Sequence, residues 1–196
     1  MRDMIKSTLT LLVISFCVVL VVSFVNMITS DIIAERELEN TLGSMTEALY
    51  TATRFNQVPE EINEFVEEDK IVQAVYVGYD DDDNFKGLVF DNITNGYGGE
   101  MQVIVGIKES GEVLDVILGQ NSETPGLGSL VGEKTFKSQF VGKDVFENTL
   151  NVVTSTPESK SQVEAVTGAT ESSQAMKEAV NASSTLAQKI IAQGGF

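Results

Sequence analysis

Met101-Gln102-Val103-Ile104-Val105-Gly106-Ile107-Lys108-Glu109-Ser110-Gly111-Glu112-Val113-Leu114-Asp115-Val116-Ile117-Leu118 reads as two strands joined by a turn. Met101–Ile107 and Val113–Leu118 are short runs dominated by Val, Ile and Leu. Glu109-Ser110-Gly111 is a connection too short for anything but a hairpin, which demands antiparallel pairing. Ile71–Tyr79 and Phe85–Phe90 are runs of the same kind upstream, separated by Asp-, Asn- and Gly-rich breaks. Four such segments in succession predict an antiparallel sheet.

Downstream the pattern changes. A loop at Asn121–Gly128 is followed by a short predicted helix over Glu133–Phe140. Val152–Val153 and Val163–Val166 flank a polar loop around Pro157 and read as further strands. From Glu171 to Gln193 the apolar positions Met176, Ala179, Val180, Leu186 and Ile190 fall on one helical face, with Gly194-Gly195 as the stop. The fold class is α+β, with helices packed on an antiparallel sheet.

Upstream, Ser7 to Ser30 carries no charged side chain. As helix it spans about 36 Å at ~1.5 Å per residue, enough to cross a bilayer core. It is longer than the ~7–15 apolar residues of a signal peptide, and around Thr29–Ala34 there is no convincing small-x-small cleavage pattern, so a retained anchor is expected. Arg2 and Lys6 precede the run. The positive-inside preference then places the N-terminus in the cytoplasm and everything after Asp31 outside, as in a single-pass cell-membrane protein. From Asp31 to about Phe55 the apolar residues continue at helical intervals, and Pro59-Glu60-Glu61 reads as a helix start leading to Phe65. Three parts are expected: residues 1–30 as cytoplasmic N-terminus and transmembrane anchor, 31–70 as helical stalk and connecting helices, and 71–196 as the functional domain.

Composition removes whole chemistries. There is no histidine among the 196 residues and only one cysteine, Cys17, inside the apolar run. A Ser-His-Asp triad, a histidine-ligated zinc or haem, an iron–sulfur cluster, a c-type haem and an internal disulfide are excluded within this chain. Any redox role therefore needs an organic cofactor, held non-covalently or through Ser, Thr or Tyr. The formal net charge of −16 repels nucleic acid and anionic headgroups. Asp80–Asp83 lies between two apolar segments and reads as an exposed turn, because consecutive carboxylates converge poorly on one cation.

Two segments stand out against this scaffold. Glu123-Thr124-Pro125-Gly126-Leu127-Gly128 is a loop whose glycines let backbone approach a ligand, although Pro-Gly turns are common without one. Thr167-Gly168-Ala169-Thr170-Glu171-Ser172-Ser173 turns into a helix, and offers either an ordinary threonine cap or a set of free amides suited to a phosphate.

Glu164-Ala165-Val166-Thr167-Gly168-Ala169-Thr170-Glu171-Ser172-Ser173 resembles the flavinylation motif of the FMN-binding domain family, Asp-x-x-Ser/Thr-Gly-Ala-Thr with a hydroxyl residue three positions later. Ser173 fills the last place, and Glu164 stands where the family usually has Asp. The resemblance implies a phosphoester between FMN and Thr170, with Thr167, Gly168, Ala169 and Ser173 forming the cofactor turn. Glu123, Thr124, Gly126 and Leu127 match a second family segment, which implies a place beside the flavin ring. Over nearly its whole length the chain is similar to the G-subunit family of Rnf ion-translocating ferredoxin:NAD oxidoreductases. The C-subunit family of sodium-pumping NADH:quinone reductases is a near relative.

That resemblance implies an electron-relay role in which electron transfer is linked to ion transport, with no complete catalytic site in this chain and no catalytic or metal-ligating residue. Its implied partners are the other membrane and peripheral subunits of the complex, together with a flavin transferase that draws FMN from FAD. A role like that of the C-subunit family and a flavin-free, membrane-anchored assembly module are the alternatives.

Overall fold

The computed structural model describes the backbone of residues 2–59, 62, 65, 66 and 68–194. It divides into two compact units, Met1–Thr41 and Leu42–Phe196. The first is helical. Helix α1 runs over Arg2–Ala48, and its stretch Thr8–Thr29, 22 residues long, is apolar and long enough to cross a membrane. Leucine, valine and phenylalanine side chains along that stretch are exposed, Phe24 and Val22 by more than half. Apolar surface on this scale is costly in water and suits lipid.

In the second unit five strands, β1 (Arg54–Gln57), β2 (Val72–Tyr79), β3 (Phe85–Asn95), β4 (Glu100–Ile107) and β5 (Val113–Asn121), form one sheet in sequence order. Every pairing is antiparallel. The sheet is covered on both faces, which is why its central strands are apolar in long runs instead of alternating with polar residues. The last turn of α1 and the residues after it, Met45, Ala48, Leu49 and Ala52, pack with Val89, Ile104, Leu114 and Ile117 in one cluster. Leu88, Phe90, Val103 and Val105 belong to the larger cluster on the other side.

That cluster also holds the buried stripe Met176, Ala179, Val180, Leu186 and Ile190 of the C-terminal helix, which spans Thr170–Gln193. We call it α3. Its stop is Gly194, at φ 65°. Polar side chains fix how α3 sits. The fully buried Asn92 amide donates to the Val103 carbonyl at 2.9 Å and accepts from the Ser183 hydroxyl at 3.2 Å. Ser184 donates to the Val145 carbonyl at 2.7 Å.

The remaining elements are small. A 3₁₀ turn covers Gly128–Gly132, and a one-turn helix α2 covers Lys134–Lys137. The expected helix over Glu133–Phe140 is thus shorter than its pattern implied. Phe136 and Phe140 are both buried with their rings edge-on at 5.4 Å, so the apolar spacing there reports packing of a turn. Strands β6 (Asn151–Val153) and β7 (Gln162–Glu164) pair in parallel. Val166 lies beyond β7, so the second strand ends before the sequence pattern does. Side-chain amides hold both strands: Asn181 exchanges two hydrogen bonds with the backbone of Leu150, and Gln139 does the same with Glu164.

Two expectations upstream change. The helix ends at Ala48, and Phe55 lies in β1, which pairs with the edge of β2. Gly78 permits this: a Cβ there would overlap the side chains of Leu49 and Ala52, so the chain leaving α1 passes directly over β2. The Pro59-Glu60-Glu61 helix start lies in part outside the described residues. Beyond it, Ile62, Phe65 and Val66 are helical and pack on the larger cluster.

Asp80–Asp83 is the β2–β3 turn. One Asp80 oxygen accepts from the Asp82 and Asn84 amides at 3.0 and 2.9 Å, and the other pairs with Lys86 at 2.7 Å. Asp83 adopts φ 63° and pairs with Arg54. Lys86 and then Asn84 hold the Asp80 carboxyl far below the usual carboxylate range. A depressed folded-state pKa stabilises above the unfolded value and is lost as pH falls below it. Asp80→Ala is therefore expected to lower the melting midpoint at pH 7, with the gap to the parent narrowing as pH drops below about 4. A thermal-melt series across pH reads this directly, and a gap independent of pH would contradict it.

Candidate functional site: a cleft at the start of the C-terminal helix

The first turn of α3 is built by the residues before it. Gly168, at φ 80°, reverses the chain, and Ala169, at φ −134° and ψ 42°, is the N-cap. Ala169 offers no side-chain oxygen, so the backbone must brace itself elsewhere. The buried Ser173 does this. Its hydroxyl donates to the Ala169 carbonyl at 2.8 Å and accepts from the Val166 amide at 3.0 Å, locking the turn from inside. Thr170 is the first helical residue, not the cap. Its hydroxyl makes no hydrogen bond among the described residues, and neither do the amides of Thr170, Glu171 and Ser172. An unbonded hydroxyl and three free donors are thus displayed together, at the positive end of a helix of 24 residues.

Against this turn lies the Glu123–Gly128 loop. Leu127 and Ser129 amides donate to the Thr124 carbonyl, and the Gly126 amide, on a residue at φ 76°, donates to the Ser129 hydroxyl at 3.0 Å. The two segments touch. A Cβ on Gly168 would contact the Leu127 side chain at 3.4 Å, and a Cβ on Gly128 would overlap the Glu123 carboxylate.

Glu123 joins a third segment to these two. Only 7% of it is exposed. One carboxylate oxygen accepts from the Ser172 hydroxyl at 2.9 Å, and the other from the Gly98 amide at 3.1 Å. Gly98 belongs to the tight β3–β4 turn, closed by the Gly96 amide on the Gly99 carbonyl at 2.9 Å. Side chains on Gly96 or Gly98 would overlap Glu123 or the Ser122 carbonyl, so the turn is pressed onto the carboxylate. A buried carboxylate is tolerated because both oxygens are satisfied.

Between the three segments is a cleft of about 450 Å³, within the ~300–1,000 Å³ of small-molecule sites. Of the residues singled out from sequence, Thr170, Gly168, Ala169, Glu123, Thr124 and Leu127 line it. Thr167, Gly126 and Ser173 do not: Thr167 and Gly126 are exposed and Ser173 is the internal brace. Gly128, Glu171 and Ser172, from the same two stretches, line it too. Tyr97, which sequence reasoning passed over, also lines it. It is the one residue with a side chain between Gly96 and Gly98, and 78% of it is exposed. The pairing of a large exposed aromatic with glycines on both sides was the available signal. Glu164, at the head of the motif, is exposed and stands apart from the cleft.

Residues 96–184, which include every part of this cleft, match the FMN-binding domain family. Along nearly its full length the chain is similar to the G subunit of the Na(+)-translocating ferredoxin:NAD(+) oxidoreductase complex of Acetobacterium woodii, with 29% identity over 94% of this chain and 92% of that one. It is 28% identical to the G subunit of the proton-translocating ferredoxin:NAD(+) oxidoreductase complex of Clostridium ljungdahlii, over 82% and 79% of the two chains. Among solved structures, the C subunit of the Na(+)-translocating NADH-quinone reductase of Parabacteroides distasonis shares the fold at TM-score 0.56. That match has 18% identity and covers 74% of this chain and 80% of that one.

Glu123→Ala would leave the Ser172 hydroxyl and Gly98 amide without acceptors in a buried site. A loss of roughly 1–3 kcal/mol is expected, read as a drop of several degrees in the melting midpoint of the detergent-solubilised chain. Glu123→Gln, which can still accept from Gly98 and donate to Ser172, should lose less. Equal losses for the two would show that the clamp is not held by hydrogen bonds.

Proposed function

We propose that this chain is the electron-relay subunit of a membrane-bound, ion-translocating ferredoxin:NAD oxidoreductase complex, and that it carries FMN esterified through its phosphate to Thr170 Oγ1. The observation that carries the reading is the Thr170 hydroxyl, left unbonded at a helix start beside three free amides and opening on a cleft of about 450 Å³. The fit is chemical as well as spatial. The free amides of Thr170, Glu171 and Ser172 suit phosphate oxygens, Leu127 and Tyr97 offer apolar and aromatic surface to a flat ring, and Thr124 adds a polar edge. FMN, when bound, supplies one- and two-electron chemistry that no side chain in this composition provides.

Thr170 does not activate itself. The chain has no histidine, and no base is hydrogen-bonded to the hydroxyl among the described residues. A separate transferase then supplies the base and FAD. Thr170 Oγ1 forms a bond to the FMN phosphorus, the pyrophosphate bond breaks, AMP leaves, and the threonine proton passes to the base. The Ser173 brace and the Glu123 clamp hold the turn, the free α3 amides would meet the phosphate, and Tyr97 and Leu127 would offer their surfaces to the ring.

The membrane helix agrees with a complex-bound role. Its Thr8–Thr29 stretch has no charged residue, so ion translocation belongs to partner subunits. Arg2 and Lys6, by the positive-inside preference, support a cytoplasmic N-terminus with the cleft-bearing domain on the other side.

Co-expression with a flavin transferase is expected to raise the intact mass by one FMN less one water and give a fluorescent band on a denaturing gel. Thr170→Ala should abolish both. No added mass in the presence of an active transferase would overturn the carrier reading and favour the flavin-free assembly module. In the loaded protein, Tyr97→Ala is expected to increase flavin emission, because an aromatic ring stacked on the flavin quenches it through contact, and Leu127→Ala should shift the absorption band. Unchanged spectra in both would remove these residues from the ring site.

A further inference from the structure

The walls of the cleft carry an unbalanced charge. Glu123 and Glu171 both line it, and among the described residues no lysine or arginine does. Among the described residues the one positive feature is the helix end, equivalent to roughly half an elementary charge, and Glu171 in the first turn already opposes it. The chain as a whole stands at −16. A free phosphate monoester carries about −1.5 to −2 at pH 7, whereas a diester carries one negative charge. The remaining wall, with Tyr97, Leu127 and Ala169, is apolar or aromatic.

We infer that the cleft's own affinity is for the uncharged part of a flavin, ring and ribityl chain, and that it discriminates against the free mononucleotide in favour of riboflavin. This rests on the flavin-carrier reading and adds to it the way the cofactor is retained. The ester to Thr170 does more than prevent escape: it lowers the phosphate from about −1.5 to −2 to a single negative charge, which the free amides of the helix start can meet. Retention here is a property of the bond, and ring placement a property of the cleft.

The test uses the full chain in detergent, produced in a host without flavin transferase. Riboflavin and FMN are titrated separately, and binding is followed by flavin fluorescence anisotropy at 0.01 M and 1 M salt. At low salt riboflavin is expected to bind on the order of fivefold more tightly, the scale of one like-charge contact in water. The gap should close at high salt, where the screening length falls from about 30 Å to about 3 Å. Glu171→Gln should strengthen FMN binding at low salt and leave riboflavin unchanged. FMN binding as tightly as riboflavin at low salt would overturn the inference, and so would no riboflavin binding up to its solubility limit. Its failure is separable from that of the carrier reading. A chain that accepts covalent FMN yet binds free FMN more tightly sinks only this inference. A chain that prefers riboflavin but never gains mass sinks only the other.

Discussion

A carboxylate removed from water must find donors where it lies, and Glu123 finds them on two different segments. Its own loop, the β3–β4 turn and the first turn of α3 are brought to one point by that requirement. The spacing in sequence is large, 25 residues on one side and 49 on the other. Glycines at 96, 98 and 128 make the approach possible, since any side chain there would occupy the space of the carboxylate or of its loop. Take the clamp away and the three segments lose the contact that joins them, although the sheet and the helix that carry two of them would remain.

The sheet positions the clamp. Strands β3 and β4 lie within the five-stranded sheet, away from its edges, and the turn that carries Tyr97 is the direct continuation of their pairing through Asn95 and Glu100. Helix α3 is seated on the same strands by its apolar stripe and by the Asn92–Ser183 hydrogen bond. The site is therefore anchored by rigid elements at both ends, with irregular backbone confined to the Glu123–Gly128 loop and the short turns at residues 96–99 and 167–169. That loop is stiffened in turn by its own hydrogen bonds.

The sequence disclosed those parts of the fold whose cause is local. β2 to β5 follow from β-branched runs broken by turn residues, and α3 from its apolar stripe and glycine stop. β1 escaped because Arg54–Gln57 has no apolar alternation and is a strand only by virtue of the open edge of β2. The α2 region misled because Phe136 and Phe140 have helical spacing but serve a turn. In the site, Thr170 was legible as a motif, yet the balance of local propensity favoured a cap. The backbone resolved this by giving the cap to Ala169 and the bracing to Ser173. Tyr97 showed only as an aromatic between two glycines, since its place beside the site depends on Gly98 meeting a carboxylate far along the chain.

The bracing by Ser173 has a consequence for the order of events in the life of the protein. Because Val166 and Ala169 are secured by that hydroxyl, the turn needs no help from Thr170 to keep its shape. A group that contributes nothing to holding the domain together stays available once the domain has formed. Nothing has to open for it to react, and nothing has to be rebuilt afterwards. The attachment proposed at Thr170 can then follow folding as a separate step, acting on a finished surface.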